Sequence, residues 1–171
     1  MNPSDTKTLL IIWHSRTGAA LQMARAARRG ALAAARELQA GPRLRILVRP
    51  AARATPKDLL AADGILLSAP ENLAALSGAM KEFFDRCYYP VLDRKNGTPY
   101  ALMIAAGSDG ASAVRQAERI CTGWRLTPIA PALIVCTHAQ TPERIAAPKH
   151  ITAADRARCE TLGGTLAALL L

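Results

Sequence analysis

Residues 9–18, LLIIWHSRTG, carry the strongest indication of the fold, because an apolar run breaks there into a hydroxyl-rich turn that leads into a helix. Continuous apolar residues are typical of a parallel strand that helices cover on both faces. Ser15 and Thr17 lie where the next helix begins, and free backbone N–H groups and the helix dipole favour an anion at such a point. The stretch therefore predicts a strand that feeds a phosphate-sized loop.

Apolar runs and helical stretches alternate along the rest of the chain, and we expect Pro70 to end the third run because it cannot extend the ladder. The predicted strands cover residues 9–13, 44–48, 62–70, 100–106 and 131–137, and the predicted helices cover 17–39, 56–62, 78–88, 111–124 and 152–171. Parallel strands need right-handed helical crossovers. The pattern predicts one α/β domain over residues 1–171, with a doubly wound five-stranded parallel sheet of order 2-1-3-4-5 and helices on both faces.

Side-chain spacing adds expectations about packing. Met80, Phe83, Phe84 and Cys87 recur at helical spacing, which indicates core rather than a cofactor contact. The Gly163-Gly164 pair inside the last helix predicts close packing of that helix on the sheet. The four cysteines are widely separated and are expected to be buried, reduced thiols without a metal.

Composition excludes several function classes. Hydrophobic residues make up 50% of the chain and charged residues 20%, which is typical of a globular protein. The net charge of +9 raises the question of nucleic acid, but Arg25, Arg29 and Arg36 share one solvated helix face, and aromatic residues are only 4% of the chain. We therefore expect no nucleic acid, no membrane insertion and, because a signal-peptide pattern is missing, a cytoplasmic protein.

Three loops lie at the carboxyl ends of predicted strands, where sheets of this kind bind their ligands. They cover residues 15–20, 70–78 and 106–110. Their sequences include HSRTG at 14–18, APEN at 69–72 followed by LSGAMK at 76–81 and FFDR at 83–86, and AGSDG at 106–110. In these motifs the chain resembles the flavodoxin-like superfamily, and within it the small flavodoxin-family proteins and the NAD(P)H-dependent FMN or quinone reductases.

The resemblance implies FMN as cofactor, NAD(P)H as reductant and a small molecule such as a quinone or a flavin as electron acceptor. The flavin carries the chemistry, so no side chain is assigned as catalytic. The implied phosphate site consists of Ser15, Arg16, Thr17, Gly18, Ala19 and Ala20. The implied flavin contacts are Pro70, Glu71, Asn72, Leu73, Leu76, Ser77 and Gly78 in the second loop and Ala106, Gly107, Ser108, Asp109 and Gly110 in the third.

The sequence leaves two interpretations open for some side chains. Asp109 either bonds a flavin or ribose hydroxyl or caps the following helix. His14 either pairs with phosphate or flavin or is a strand-end histidine that backbone groups satisfy. Tyr88 and Tyr89 are either core residues or anchors of a homodimer.

The sequence also leaves open two alternatives to the FMN-dependent reductase. One is a flavodoxin-type electron-transfer protein, and the other is a flavodoxin-like module that has lost its flavin. The sequence names neither the acceptor nor NADH against NADPH.

Overall fold

The apolar stretch at residues 9–18 forms a buried strand and a loop, as predicted. The structure, a computed structural model, describes residues 6–171. Its strands are β1 Lys7–Trp13, β2 Leu44–Pro50, β3 Gly64–Asn72, β4 Ala75–Leu76, β5 Pro99–Ala106, β6 Thr127–Pro128 and β7 Leu133–Cys136. Its helices are α1 Ala19–Glu37, α2 Pro56–Ala61, α3 Gly78–Val91, α4 Ala111–Gly123, α5 Pro142–Ala146 and α6 Ala153–Leu170.

The sheet is parallel along the order β2-β1-β3-β5-β6, with β7 also beside β5 and β4 antiparallel to β3. The predicted count of five was wrong, because the sheet has seven strands. The predicted last strand is in two pieces, β6 and β7, which pair with successive parts of β5. Pro128 and Pro131 lack the N–H that a continuous ladder needs, which accounts for the break. The predicted order holds when the two pieces are taken as one interrupted strand.

The prediction that Pro70 ends β3 was also wrong, since the strand continues to Asn72. The pairing of β1 with β3 stops at Ser68, so Pro70 has a strand on one side only, where it pairs with Ala105 of β5. Proline is tolerated where no ladder hydrogen bond is lost. The chain then turns back into β4.

Alternating residues of the buried strands divide the core into two layers. Leu9 and Ile11 pack with α1 and α6, whereas Leu10 and Ile12 pack with α2, α3 and α4. The four residues at helical spacing in α3 are buried in the second layer, as predicted, and lie there with Trp124. This arrangement leaves the loops at the carboxyl ends of the strands free for a ligand.

The Gly163-Gly164 pair of the last helix packs closely on α1, not on the sheet as predicted, although other residues of α6 such as Leu166 do pack on the sheet. A Cβ atom at Gly163 would lie 2.0 Å from the carbonyl oxygen of Ala27, and one at Gly30 would lie 1.8 Å from that of Glu160. The backbones of α1 and α6 therefore touch at these glycines, and the position of α1 depends on this contact.

Burial differs among the cysteines. Cys87, Cys121 and Cys159 are buried, as predicted, and burial raises the pKa of Cys121 and of Cys159 to about 12. Cys136 is only half-buried, so the prediction was wrong for this residue, which lies at the carboxyl end of an outer strand. In the part of the chain that the structure describes, no helix is long and apolar enough to cross a membrane.

Candidate functional site

The first loop makes an anion cradle at the start of α1. The Ser15 hydroxyl oxygen accepts a hydrogen bond from the Gly18 backbone N–H at 3.0 Å. Gly18 has φ of +102°, a left-handed conformation that favours glycine, and it is the residue from which α1 begins. The first turn of α1 carries no acidic side chain. The positive end of the helix is therefore available to an anion.

The parts of the loop that can reach an anion are its backbone and two side chains. Ala19 and Ala20 are 4% and 1% exposed and pack in the core, so they offer only their backbone N–H groups, which have no intrahelical acceptor. Thr17 is half-buried and Arg16 is exposed. A hydroxyl and a guanidinium therefore flank the backbone donors.

The segment before α6 braces this loop, a feature that the sequence analysis missed. The Lys149 backbone N–H donates to the Thr17 carbonyl at 2.7 Å. The Gln22 side-chain amide donates to the carbonyls of Lys149 at 2.5 Å and Gly18 at 3.2 Å. Contacts that span more than a hundred residues leave no local pattern in the sequence, so only the fold reveals them.

The second loop is a hairpin that joins β3 to β4, where Glu71 pairs with Leu76 and Asn72 with Ala75. Leu73 and Ala74 form its turn, with φ of +52° and +58°. Turns of this kind favour Asn-Gly, because left-handed backbone strains other residues. Leu73 is also fully exposed, at 101%. Pro70 and Gly78 border the hairpin, and the Leu76 backbone N–H donates to the Gln116 side chain of α4 at 2.7 Å.

We predict that the double substitution Leu73→Asn and Ala74→Gly stabilises the protein by about 1–2 kcal/mol, because it relieves left-handed strain. Urea unfolding followed by circular dichroism measures the change. Ala33→Gly on the exposed surface of α1 is the control, and it should destabilise by about 1 kcal/mol. A loss of stability in the turn variant contradicts the strain argument.

Glu71 ties the second loop to the third. Its carboxylate accepts hydrogen bonds from the backbone N–H groups of Gly110 at 2.9 Å and Ala113 at 3.4 Å, at the start of α4. The hypothesis that Asp109 caps this helix was therefore wrong, because α4 has no side-chain cap from its own flank and Asp109 is exposed. A carboxylate already occupies the positive end of α4, whereas that of α1 is free.

We predict that Glu71→Ala lowers the free energy of unfolding by about 1–2 kcal/mol, because it leaves helix N–H groups without an acceptor. Asp109→Ala is the matched control and should change stability by less than about 0.5 kcal/mol. Thermal and urea unfolding of both variants measure the difference. Equal losses in the two variants contradict the assignment of the cap to Glu71.

His14 connects the first loop to the second. Its Nδ1 atom lies 2.9 Å from the hydroxyl oxygen of buried Ser77, and its backbone N–H donates to the Ser68 carbonyl at 3.0 Å. Burial, and then the charge of Arg16, hold the pKa of His14 below its ordinary value of 6.5. The imidazole therefore has its partner within the fold, but that partner is a side-chain hydroxyl and not the backbone that the sequence interpretation named. The lowered pKa favours a neutral ring at pH 7.

We predict that His14 titrates below 6.5, and that Arg16→Gln raises its pKa without restoring the full value, because burial is the larger cause. NMR titration of the imidazole Cε1 proton measures both values. Because the folded pKa is the lower one, His14 favours folding fully above pH 6.5, and this contribution is lost as pH falls from 6.5 to the folded pKa. An unchanged pKa in the variant contradicts the role of Arg16.

The third loop leaves β5 at Ala106, whose carbonyl accepts from the Thr137 backbone N–H at 2.8 Å. Gly107 lies close to Ala139, where a Cβ atom would be 3.1 Å from the carbonyl oxygen. Gly110 has φ of +83° and packs on Ile134. Ser108 and Asp109 are exposed between these fixed glycines. The loop therefore has a set backbone and two free polar side chains.

A groove of about 880 Å³ lies elsewhere, between the C-terminal half of α1 and α6, where Leu32, Ala33, Ala34, Gly164 and Ala168 line it with charged residues. It is away from the three loops, since the first loop precedes the other end of α1. The loops remain the candidate site because polar backbone, helix ends and fixed turns converge there.

The fold and the three linked loops define a flavodoxin-like protein. Three solved structures share the fold. The first is a flavodoxin from the domain Archaea, with 16% identity and a TM-score of 0.74, and the match covers 95% of this chain and 98% of that one. The second is a WrbA-like flavodoxin from Agrobacterium tumefaciens, with 14% identity, a TM-score of 0.71 and coverage of 96% and 98%. The third is an oxidoreductase from Corynebacterium diphtheriae, with 20% identity, a TM-score of 0.69 and coverage of 96% and 98%.

A second comparison shows the family to which this chain belongs. Residues 15–140, which include all three loops, match the family model of the NADPH-dependent FMN reductases. The chain belongs to this family, which confirms FMN as the cofactor and NAD(P)H as the reductant that the resemblance implied. No curated protein sequence matches the chain.

Proposed function

We propose that this protein is an FMN-containing reductase that takes electrons from NADPH and passes them to a small acceptor, either a quinone or a free flavin. The observation that carries the proposal is the free positive end of α1. Its first turn has no acidic residue and it begins at a left-handed glycine that Ser15 holds in place. A phosphate group fits this cradle, since backbone N–H groups and a hydroxyl converge on it.

The three loops divide the binding of FMN between them. Residues 15–20 hold the phosphate, and the backbone of residues 70–78 and 106–110 flanks the ring system. Bound FMN supplies hydride and electron transfer between the nicotinamide and the acceptor. The chain's own residues bind and orient it: Glu71 and Ser77 fix the relative position of the loops through Gly110 and His14.

A small acceptor fits the exposed surroundings of the ring site. Leu73 at the hairpin tip and the Ser108 and Asp109 pair are open to solvent. A planar acceptor can therefore approach from the side that these residues border.

Titration of the purified protein with FMN and with riboflavin, followed by flavin fluorescence, tests the proposal. We expect FMN to bind more tightly than riboflavin, because only FMN carries the phosphate. Anaerobic addition of NADPH should then bleach the bound flavin, and a quinone should restore its colour. Bound flavin that NADPH does not reduce favours the electron-transfer alternative, and no flavin binding overturns the proposal.

We further propose a homodimer and a cytoplasmic location. Tyr88 and Tyr89 are 39% and 80% exposed at the end of α3, with ring centroids 5.0 Å apart, so their interpretation as core residues was wrong. Paired exposed tyrosines favour a protein contact. The four free cysteines favour a reducing compartment. Light scattering of Tyr89→Ser beside the unaltered protein tests the dimer, which the variant should weaken.

A further inference from the structure

The net charge of +9 is confined to the first third of the chain. Residues 1–57 hold eleven of the 22 Lys and Arg residues but only two of the 13 Asp and Glu residues. Residues 58–171 hold eleven residues of each sign and are neutral. The whole excess charge therefore belongs to the part of the chain that ends at the first residues of α2.

Six of these cations lie on α1 and at the edge of the sheet that the chain reaches after α1. β2 is an edge strand of the sheet, and α1 connects it to β1. We call these exposed cations the basic edge, which consists of Arg25, Arg28, Arg29, Arg36, Arg43 and Arg45. Arg53 and Lys57 are not included, because their segment packs with the layer of α2 and α3, on the other face of the sheet from α1. All six residues are arginines, whose planar guanidinium groups bind carboxylates in pairs of hydrogen bonds.

Most cations of the basic edge have no acidic partner. In residues 6–171, its only salt bridge joins Arg29 to Glu160 at 2.9 Å. Beside that pair lies a groove of about 420 Å³, which Gln22, Arg25, Arg29, Arg156 and Glu160 line. The Arg29–Glu160 contact shows that a carboxylate fits a guanidinium in this groove, where Arg25 and Arg156 have no such partner among the described residues.

Protection of the sheet edge explains only part of this charge. Cations on an edge strand prevent pairing with other chains, which accounts for Arg45 in β2 and for Arg43 just before it. The α1 helix covers the sheet and presents no free strand edge, yet it carries four of the arginines. Charge complementarity to an external partner accounts both for the arginines at the sheet edge and for those on α1.

We propose that the basic edge is a docking surface for an acidic protein. Leu38 is 53% exposed at the end of α1, in the chain between Arg36 and Arg43, and protein interfaces combine such aliphatic contacts with charge. The exposed aromatic residues Tyr88 and Tyr89 belong to α3, so the basic edge lacks the stacking rings that single-stranded nucleic acid uses. The proposal does not depend on flavin binding.

Two triple variants with the same net charge test the proposal. Arg25, Arg28 and Arg36 are changed to Gln in the first, and Arg94, Arg115 and Arg119, which are exposed outside the basic edge, are changed in the second. Fluorescently labelled poly-glutamate is the probe, with binding measured by anisotropy at increasing NaCl. We expect the first variant to bind at least about tenfold more weakly and the second to bind like the unaltered protein.

Each outcome decides the proposal. Weaker binding in the first variant alone, together with loss of binding at high salt, supports a docking surface at the basic edge. Equal weakening in both variants means that net charge alone attracts the probe, and it overturns the proposal. A DNA duplex or phosphatidylserine vesicles that outcompete poly-glutamate overturn the acidic protein as the partner. Thermal unfolding shows that both variants are folded.

Discussion

Gly163→Ala is expected to lower the free energy of unfolding by about 3 kcal/mol or more, the largest effect on stability that we predict. The added methyl carbon would lie 2.0 Å from the carbonyl oxygen of Ala27 and 2.6 Å from its carbonyl carbon. Both are backbone atoms inside α1, so no side chain can move aside. The substitution must therefore separate α6 from α1, and it loses the close packing along the whole contact.

Gly123→Ala is the matched control. Gly123 is the last residue of α4, and a Cβ atom there has nothing within 4 Å. We expect no loss at this position and a gain of up to about 1 kcal/mol, because alanine restricts the unfolded chain. Urea unfolding of the two variants measures the contrast. If both unfold at the same denaturant concentration, the close contact of α1 with α6 is not what the structure shows.

This contact illustrates what the sequence predicts and what it leaves open. The pattern of apolar runs gave the fold class, the order of the main strands and the loops at their ends, because burial on two faces has a local signature. A glycine pair within a helix indicated close packing but not the partner. The choice of α1 over the sheet depends on a contact between residues far apart in the chain.

The candidate site shows the same division. The first loop and the helix start that follows it could be predicted because they are consecutive in the sequence. The cap of α4 could not, since Glu71 acts from another loop and the exposed Asp109 occupies the usual position in the sequence. The brace from Gln22 and Lys149 to the first loop is likewise a product of the fold. Long-range hydrogen bonds between loops therefore account for most of what was missed.

Thr17→Glu is expected to weaken FMN binding by about a hundredfold or more while leaving riboflavin binding unchanged. Thr17 lies in the proposed phosphate loop just before α1, whose first turn carries no acidic residue. A carboxylate placed there competes for the free N–H groups, as that of Glu71 does at α4. It removes hydrogen bonds to a charged group, which contribute about 1.5–3 kcal/mol each, and adds repulsion of the phosphate.

The same substitution should raise the free energy of unfolding by about 0.3–1 kcal/mol, because an acidic residue at a helix start favours the dipole. FMN binding is thus expected to weaken while the free energy of unfolding rises. Because misfolding would lower both, the two measurements together distinguish loss of the phosphate site from misfolding. Thr165→Glu puts the same charge on the exposed side of α6 and should leave both flavins bound as before. If Thr17→Glu weakens FMN and riboflavin equally, the ring site has changed and the phosphate is not held at α1; unchanged binding of both places the phosphate elsewhere.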